Sequence, residues 1–460
     1  MNAAAPKGAD KFTQSETRWS GPPHTDSMFT RSLVNLLAKA LAAGDAEPDA
    51  VVERAARILG WRWRWLRPLV VRYLKNFSNQ TRPRYRDAYT FLQRDEGFDR
   101  AVRLHGRKLE IAGWLHDSPT MLPVKAAEHW PLPHIETTME LANWLQITPG
   151  ELEWFADLGA LGYKRQNAKL RHYWYRVLQK DAGSIRLIEA PKERLKKLQQ
   201  RVLSGILEQV PMHDAVHGFR KGRSIQTFCA PHVGQQVVLK MDLLDFFPSI
   251  SGVRLQSLFR TFGYPERVAD LLGGLCSNAT PKDIWQGASW ETRMRYARPH
   301  LPQGAPSSPA LANLCFYGAD CRLLGLAEAA GARYTRYADD LAFSGGPDFA
   351  RCVDRFGVQV AAIVAEEGFA VNHRKTRVMR RSVRQHLAGL VVNERANVRR
   401  TDFDTLKAIL TNCVRLGAES QNREGHANFR AHLQGRVAFV KAVNPEKGKK
   451  LERLLDKIQS

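Results

Sequence analysis

The chain contains no run of about 18 apolar residues, so no segment reads as a membrane span. Residues 1–26 are polar, with Pro and Gly where a secretory leader would be basic and then apolar, and they predict a flexible tail. Cysteine is scarce. The six (Cys229, Cys276, Cys315, Cys321, Cys352 and Cys413) include no C-x-x-C pair, which removes the signatures of a disulfide framework and of a zinc site. Internal repeats and low-complexity segments are absent as well. Together these absences predict a cytoplasmic protein with reduced thiols. Acidic residues are also in deficit: 46 Asp+Glu face 69 Lys+Arg, a net charge of +23 that points to a polyanionic partner, nucleic acid first among them. Residues 374–460 hold 20 Lys/Arg against 8 Asp/Glu, and so carry +12 of that excess. A basic C-terminal region of this kind is expected to grip a phosphate backbone.

Apolar residues recur at three-to-four spacing from Ser32 to about Asn76 (Leu33, Leu36, Leu37, Leu41, then Val51, Val52, Ala55, Ile58, Leu59). That period predicts packed amphipathic helices, two of them separated by Gly44 and Pro48. Trp61, Arg62, Trp63, Arg64 and Trp65 interleave rings and cations. They could stack on bases, although indoles buried in a core with the arginine stems along its edge is the simpler reading. At Thr148, with Pro149 behind it and Glu151 three residues on, the sequence predicts a capped helix start. Beyond it, strand-like runs at 184–188, 237–241, 334–337 and 340–343 alternate with helical stretches, an α+β pattern with a largely antiparallel sheet. From 401 to 416 and from 449 to 458 the pattern is helical and basic. Four segments are therefore expected: a tail over 1–26, a helical extension over 27–130, a mixed domain over 131–395, and a basic helical domain over 396–460.

Tyr337-Ala338-Asp339-Asp340 lies between two strand-like runs, so its aspartates fall in a tight hairpin turn. Acidic turns are common and this one alone says little. About a hundred residues earlier, however, the apolar run 238–241 ends on Asp242. Carboxylates from two neighbouring strands are what nucleotidyl transfer needs, because two divalent ions about 3.5 to 4 Å apart must hold the attacking hydroxyl and the triphosphate. An all-oxygen set of this kind suits magnesium, with manganese as a substitute. Asp242 and Asp339 are assigned as bridging ligands, and Asp340 as a weaker or indirect one.

With these residues in view the chain, from about residue 135 onward, resembles reverse transcriptases, and among them the bacterial retron enzymes. Asp242-Leu-Leu-Asp-Phe-Phe-Pro-Ser-Ile250, Leu301-Pro-Gln-Gly-Ala-Pro-Ser-Ser-Pro309 and Tyr337 to Asp340 are similar to the family's three catalytic motifs, in the family's order. The resemblance implies a right-hand polymerase fold of fingers, palm and thumb. It implies that Phe247 is a steric gate selecting dNTPs, that Gln303-Gly304 packs on the incoming nucleotide, and that Arg186, with Lys180 as a second cation, meets the triphosphate. His217-Gly-Phe-Arg-Lys-Gly-Arg-Ser224 resembles a fingers block in which Arg220 and Arg223 position template or fold. Lys375 matches a lysine that could protonate the departing pyrophosphate; a phosphate-facing role is the alternative. Gly389 to Asn393 resembles the hairpin that supports the primer end, and Lys449 and Lys450 lie in the thumb-like helices.

The stretch after Asn393 is too short for a thumb plus an RNase H, maturase or endonuclease domain, which favours a retron enzyme. That class copies part of a structured non-coding RNA into single-stranded DNA (msDNA), primed from a guanosine 2′-hydroxyl, in antiphage defence, and a separate effector protein is a further implied partner. Two retron signatures are altered. One reads Phe228-Cys-Ala-Pro-His232, keeping only the histidine, which could contact RNA or could be structural; the other reads Leu387-Ala388-Gly389. Alternatives are an intron-derived or other defence-associated reverse transcriptase without branched priming, and an RNA-binding scaffold that has lost catalysis.

Overall fold

The computed structural model describes residues 27–43, 46–77, 83–113, 120–164, 168–179, 185–285 and 290–458. The predicted tail, Gly44 and Lys180 lie outside them. Two compact units divide at Pro119 and Thr120.

In the first unit, five α-helices (Ser27–Ala42, Pro48–Leu59, Leu66–Asn76, Tyr85–Arg94 and Glu96–His105) enclose a core of their own. Every apolar position read from the helical period, from Leu33 to Leu59, is buried in it. Trp63 and Trp65 pack against this core, whereas Trp61 is exposed and Arg62 pairs with Glu53 at 3.1 Å. The division at 119 falls ahead of the expected boundary at 130. The reason lies in the second unit, where Leu122 N–H donates to the Gly263 carbonyl at 2.8 Å and Trp130 packs edge-on against Phe262. A Cβ on Gly263 would meet the Pro123 nitrogen at 2.4 Å, so only glycine admits this strap.

The second unit is a mixed helix-and-sheet body. Thr148 caps the helix Pro149–Ala156 as expected: its hydroxyl accepts from Glu151 N–H, and the Glu151 carboxylate accepts from Thr148 N–H at 2.9 Å. Strands β1 (Tyr173–Gln179) and β2 (Ile185–Pro191) form an antiparallel hairpin. Strands β3 (Val237–Asp242), β4 (Ala332–Tyr337), β5 (Asp340–Gly345) and β6 (Arg377–Arg380) form an antiparallel sheet in the order β4-β5-β3-β6. Strand β3 is interior to the sheet and contributes to a core on each face. Val237, Leu239 and Met241 join the main core with the helix Pro347–Glu366, while Val238 and Ala342 join a second core with the C-terminal helices. Three short strands, β7 (His386–Leu387), β8 (Leu390–Val391) and β9 (Asn397–Val398), lead into the helices Arg400–Leu416, Phe429–Val443 and Pro445–Leu455. No helix among the described residues is long and apolar enough to cross a membrane.

Candidate active site

The sheet register brings the acidic residues together. Asp242, the last residue of β3, stands directly opposite Asp340, the first of β5. Tyr337 pairs with Asp340 across the β4–β5 hairpin, leaving Ala338 and Asp339 as a two-residue turn. Ala338 has φ 56°, the left-handed conformation that short hairpins demand and glycine usually supplies. Leu243 N–H donates to the Asp339 carbonyl at 2.9 Å and ties the turn to the end of β3.

Each carboxylate has a distinct environment. Asp242 is nearly buried, accepting from Lys375 Nζ at 3.0 and 3.1 Å and from Asn372 Nδ2 at 3.3 Å. Asp340 pairs with Lys240 Nζ at 2.9 Å. The Asp339 carboxyl is pushed up from the usual carboxylate range by burial, then by the negative charge of Asp242 and to a lesser degree of Asp340, with Lys375 pulling back. Among the described residues no group of three or more acidic, His or Cys side chains is drawn together to hold a metal, and a lysine pairs with each of Asp242 and Asp340. The donor set nonetheless fits a hard cation, being carboxylate oxygens only, with a central member whose own charge is disfavoured where it stands.

Phe247 is half-buried, and Phe246 beside it is in the core. The Gln303 carbonyl accepts from Glu189 N–H at 2.8 Å, and Gly304 has φ 130° with its Cα so near the Glu189 carbonyl that a Cβ would stand 3.0 Å from it. The predicted nucleotide loop is thus fastened to β2, the strand that carries Arg186 with an exposed side chain. Arg220 donates to the His213 carbonyl at 3.1 Å and to Asp214 at 3.3 Å, and Arg223 lies 3.9 Å from the same carboxylate. Lys449 and Lys450 are exposed on the last helix, remote in sequence from the carboxylates. His232 is fully buried, its ring nitrogens 2.6 Å from Ser344 Oγ and 2.7 Å from Thr335 Oγ1. It is a structural histidine, so the reading as an RNA contact is corrected.

Several residues at the site carry no sequence signal of their own. Asn372 reaches Asp242 only because the turn 372–376 folds it there beside Lys375. Glu189, fully buried, accepts from His300 or its tautomer at 2.9 Å, from Asn278 at 2.8 Å and from Thr280 at 2.8 Å. Burial would lower the His300 pKa, but the Glu189 charge outweighs it and the net shift is upward. Phe219 combines φ 58° with a half-exposed ring, 6.5 Å from Phe247 and 6.3 Å from Tyr337. Its only hint in the sequence was its place in the block beginning at His217.

Comparison with known proteins identifies the family. Residues 177–398 match the family model for reverse transcriptase (RNA-dependent DNA polymerase). The chain is 39% identical over 330 residues to the retron Mx65 reverse transcriptase of Myxococcus xanthus, covering 70% of this chain and 72% of that one. It is 35% identical over 344 residues to the retron Mx162 reverse transcriptase of the same organism, covering 72% and 68%. With the retron Ec86 reverse transcriptase of Escherichia coli it shares 29% over 294 residues, covering 64% and 82%. The chain belongs to the retron reverse transcriptases and is an RNA-directed DNA polymerase.

Proposed function

We propose that this polymerase copies part of a structured RNA into single-stranded DNA that stays joined to it, using two divalent ions held by Asp242, Asp339 and Asp340. The observation that carries the reading is the register of Asp242 against Asp340, with Asp339 at the adjoining turn. The ions, magnesium or manganese, would activate the primer hydroxyl and stabilise charge on the transferring phosphoryl group. Asp242 and Asp339 would be the principal ligands holding them, and Asp340, paired with Lys240, would be a weaker or indirect one.

The remaining assignments extend the family resemblance. Phe247 excludes a 2′-hydroxyl, the Gln303-Gly304 loop packs on the incoming dNTP, and Arg186 grips its triphosphate in bidentate fashion. Lys180 is kept as a second cation there. Lys375, whose ammonium donates to Asp242, is the group placed to protonate the departing pyrophosphate. Arg220 and Arg223 brace the loop beside the turn through Asp214 and meet the template from there. In this reading the β1–β2 hairpin belongs to the fingers, the four-stranded sheet to the palm, and the helices from Arg400 onward to a thumb whose Lys449 and Lys450 contact backbone phosphates. The protein works in the bacterial cytoplasm, in antiphage defence with a separate effector.

The test uses protein expressed with its native flanking locus. RNase A should shorten the bound nucleic acid without destroying it, and debranching enzyme should release a DNA 5′ end. Linear DNA indifferent to both treatments refutes branched priming while leaving polymerase activity intact.

A further inference from the structure

Behind the catalytic turn lies a buried polar cluster that none of the motifs accounts for. Arg336 on β4 and Asp320 on the helix Tyr317–Ala329 are both fully buried. The guanidinium grips the carboxylate with two bonds, Nε to Oδ1 at 2.8 Å and Nη2 to Oδ2 at 2.6 Å. Its remaining nitrogen, Nη1, donates to Asn313 Oδ1 at 2.9 Å and to the carbonyl of Ala338 at 3.1 Å. Asn313 Nδ2 in turn donates to the Gly218 carbonyl at 3.0 Å. Gly218 lies so close that a Cβ there would stand 2.6 Å from Ala338 N. The face of the guanidinium covers Phe316 at 4.8 Å and Phe246, the neighbour of Phe247, at 5.9 Å.

Packing alone does not call for this arrangement, since apolar side chains of similar volume commonly replace a buried ion pair without loss of stability. What apolar groups cannot do is hold a carbonyl. The Ala338 carbonyl and the Asp339 N–H belong to one rigid peptide plane, so fixing that oxygen fixes the plane from which the Asp339 side chain departs. Ala338 sits there in a left-handed conformation disfavoured for a residue with a Cβ. Without a restraint the turn has an easier backbone to relax into.

We propose that Arg336, set by Asp320 and Asn313, is a positioning residue that orients Asp339 for metal binding. The proposal rests on the assignment of Asp339 as a metal ligand. The full chain carrying Arg336→Met with Asp320→Leu removes the carbonyl contact while refilling the core. Single-turnover dNTP incorporation, its Mg2+ midpoint, template-primer affinity and melting are then measured. The expected result is a folded protein with template-primer affinity within about twofold of the parent, turnover at least about tenfold lower, and an Mg2+ midpoint raised about threefold or more. A folded double variant with parental turnover and Mg2+ midpoint overturns the proposal. If it does not fold, the decision passes to Asn313→Ala, which keeps the ion pair. There a raised Mg2+ midpoint with reduced turnover supports the role, and unchanged values overturn it. Asp339→Asn runs alongside: parental activity in that variant refutes the ligand assignment and this proposal with it, whereas its loss with an active double variant refutes the proposal alone.

Discussion

Asp339→Asn tests the central assignment through stability as well as catalysis. The change keeps the side chain's volume and removes its charge. In the protein without metal that charge is a cost, because burial and then Asp242 and Asp340 oppose it, with Lys375 offsetting only part. Unit charges 4 Å apart at an effective dielectric near 20 interact by about 4 kcal/mol, and greater separation, hydration and the lysine reduce this to a net cost on the order of 1 kcal/mol. The metal-free variant should therefore melt about 2 °C above the parent at neutral pH. The sign with pH is fixed by linkage. A carboxyl whose folded pKa is raised contributes stability that is fully present below its unfolded pKa and lost as pH rises through the folded one. The two proteins should melt alike in acid and diverge as pH rises through the raised value to neutrality. Magnesium should reverse the order, raising the parent's melting temperature by mass action more than the variant's. Incorporation of dNTPs should fall by about 1,000-fold or more. Calorimetry in EDTA and in Mg2+ across pH, with a primed-template assay, reads all of this. A variant less stable than the parent at neutral pH without metal, or one that polymerises at the parental rate, refutes the reasoning.

Phe247→Ala should raise the ratio of NTP to dNTP incorporation more than it lowers dNTP turnover, because the ring occupies the space a 2′-hydroxyl would need; an unchanged ratio in competition assays counts against the gate. Lys449→Glu with Lys450→Glu should weaken RNA binding and flatten its salt dependence by roughly 1.4 to 1.8 in the log-log slope, if each lysine meets one phosphate. Identical slopes would put the nucleic acid on another surface. His232→Ala removes two buried hydrogen bonds and leaves a cavity, and should cost about 2 to 4 kcal/mol in denaturant unfolding. RNA affinity per folded molecule should stay at the parental value, and a selective loss of affinity would restore the RNA-contact reading.

Local patterns made much of this legible in advance. The helical period from Leu33 to Leu59 marks residues that are all buried, the Thr148 cap needs only its own turn, and the described residues of the four strand-like runs, 185–188, 237–241, 334–337 and 340–343, lie in β2, β3, β4 and β5. Motif order drew attention to Asp242, which ends β3, and to Asp339, in the turn between β4 and β5, because the neighbours of each already declare a strand. The compact units divide near 119 rather than 130, and nothing in residues 120–130 announces that their partner is Gly263. His232 was ambiguous for the same reason, its two partners lying more than a hundred residues away on β4 and β5.

By itself the sequence determined the polymerase family and most element types, and singled out the carboxylates proposed for the site, because periodicity, turn preference and motif spacing act over a few residues. Only the tertiary structure decided which lysine answers which aspartate, that Asn372 shares Asp242 with Lys375, and that Arg336, an unremarkable basic residue in a strand, faces a buried aspartate and the catalytic turn's carbonyl. Burial gives a charged side chain its role through desolvation and partner geometry, and both are set by segments that meet only when the sheet closes.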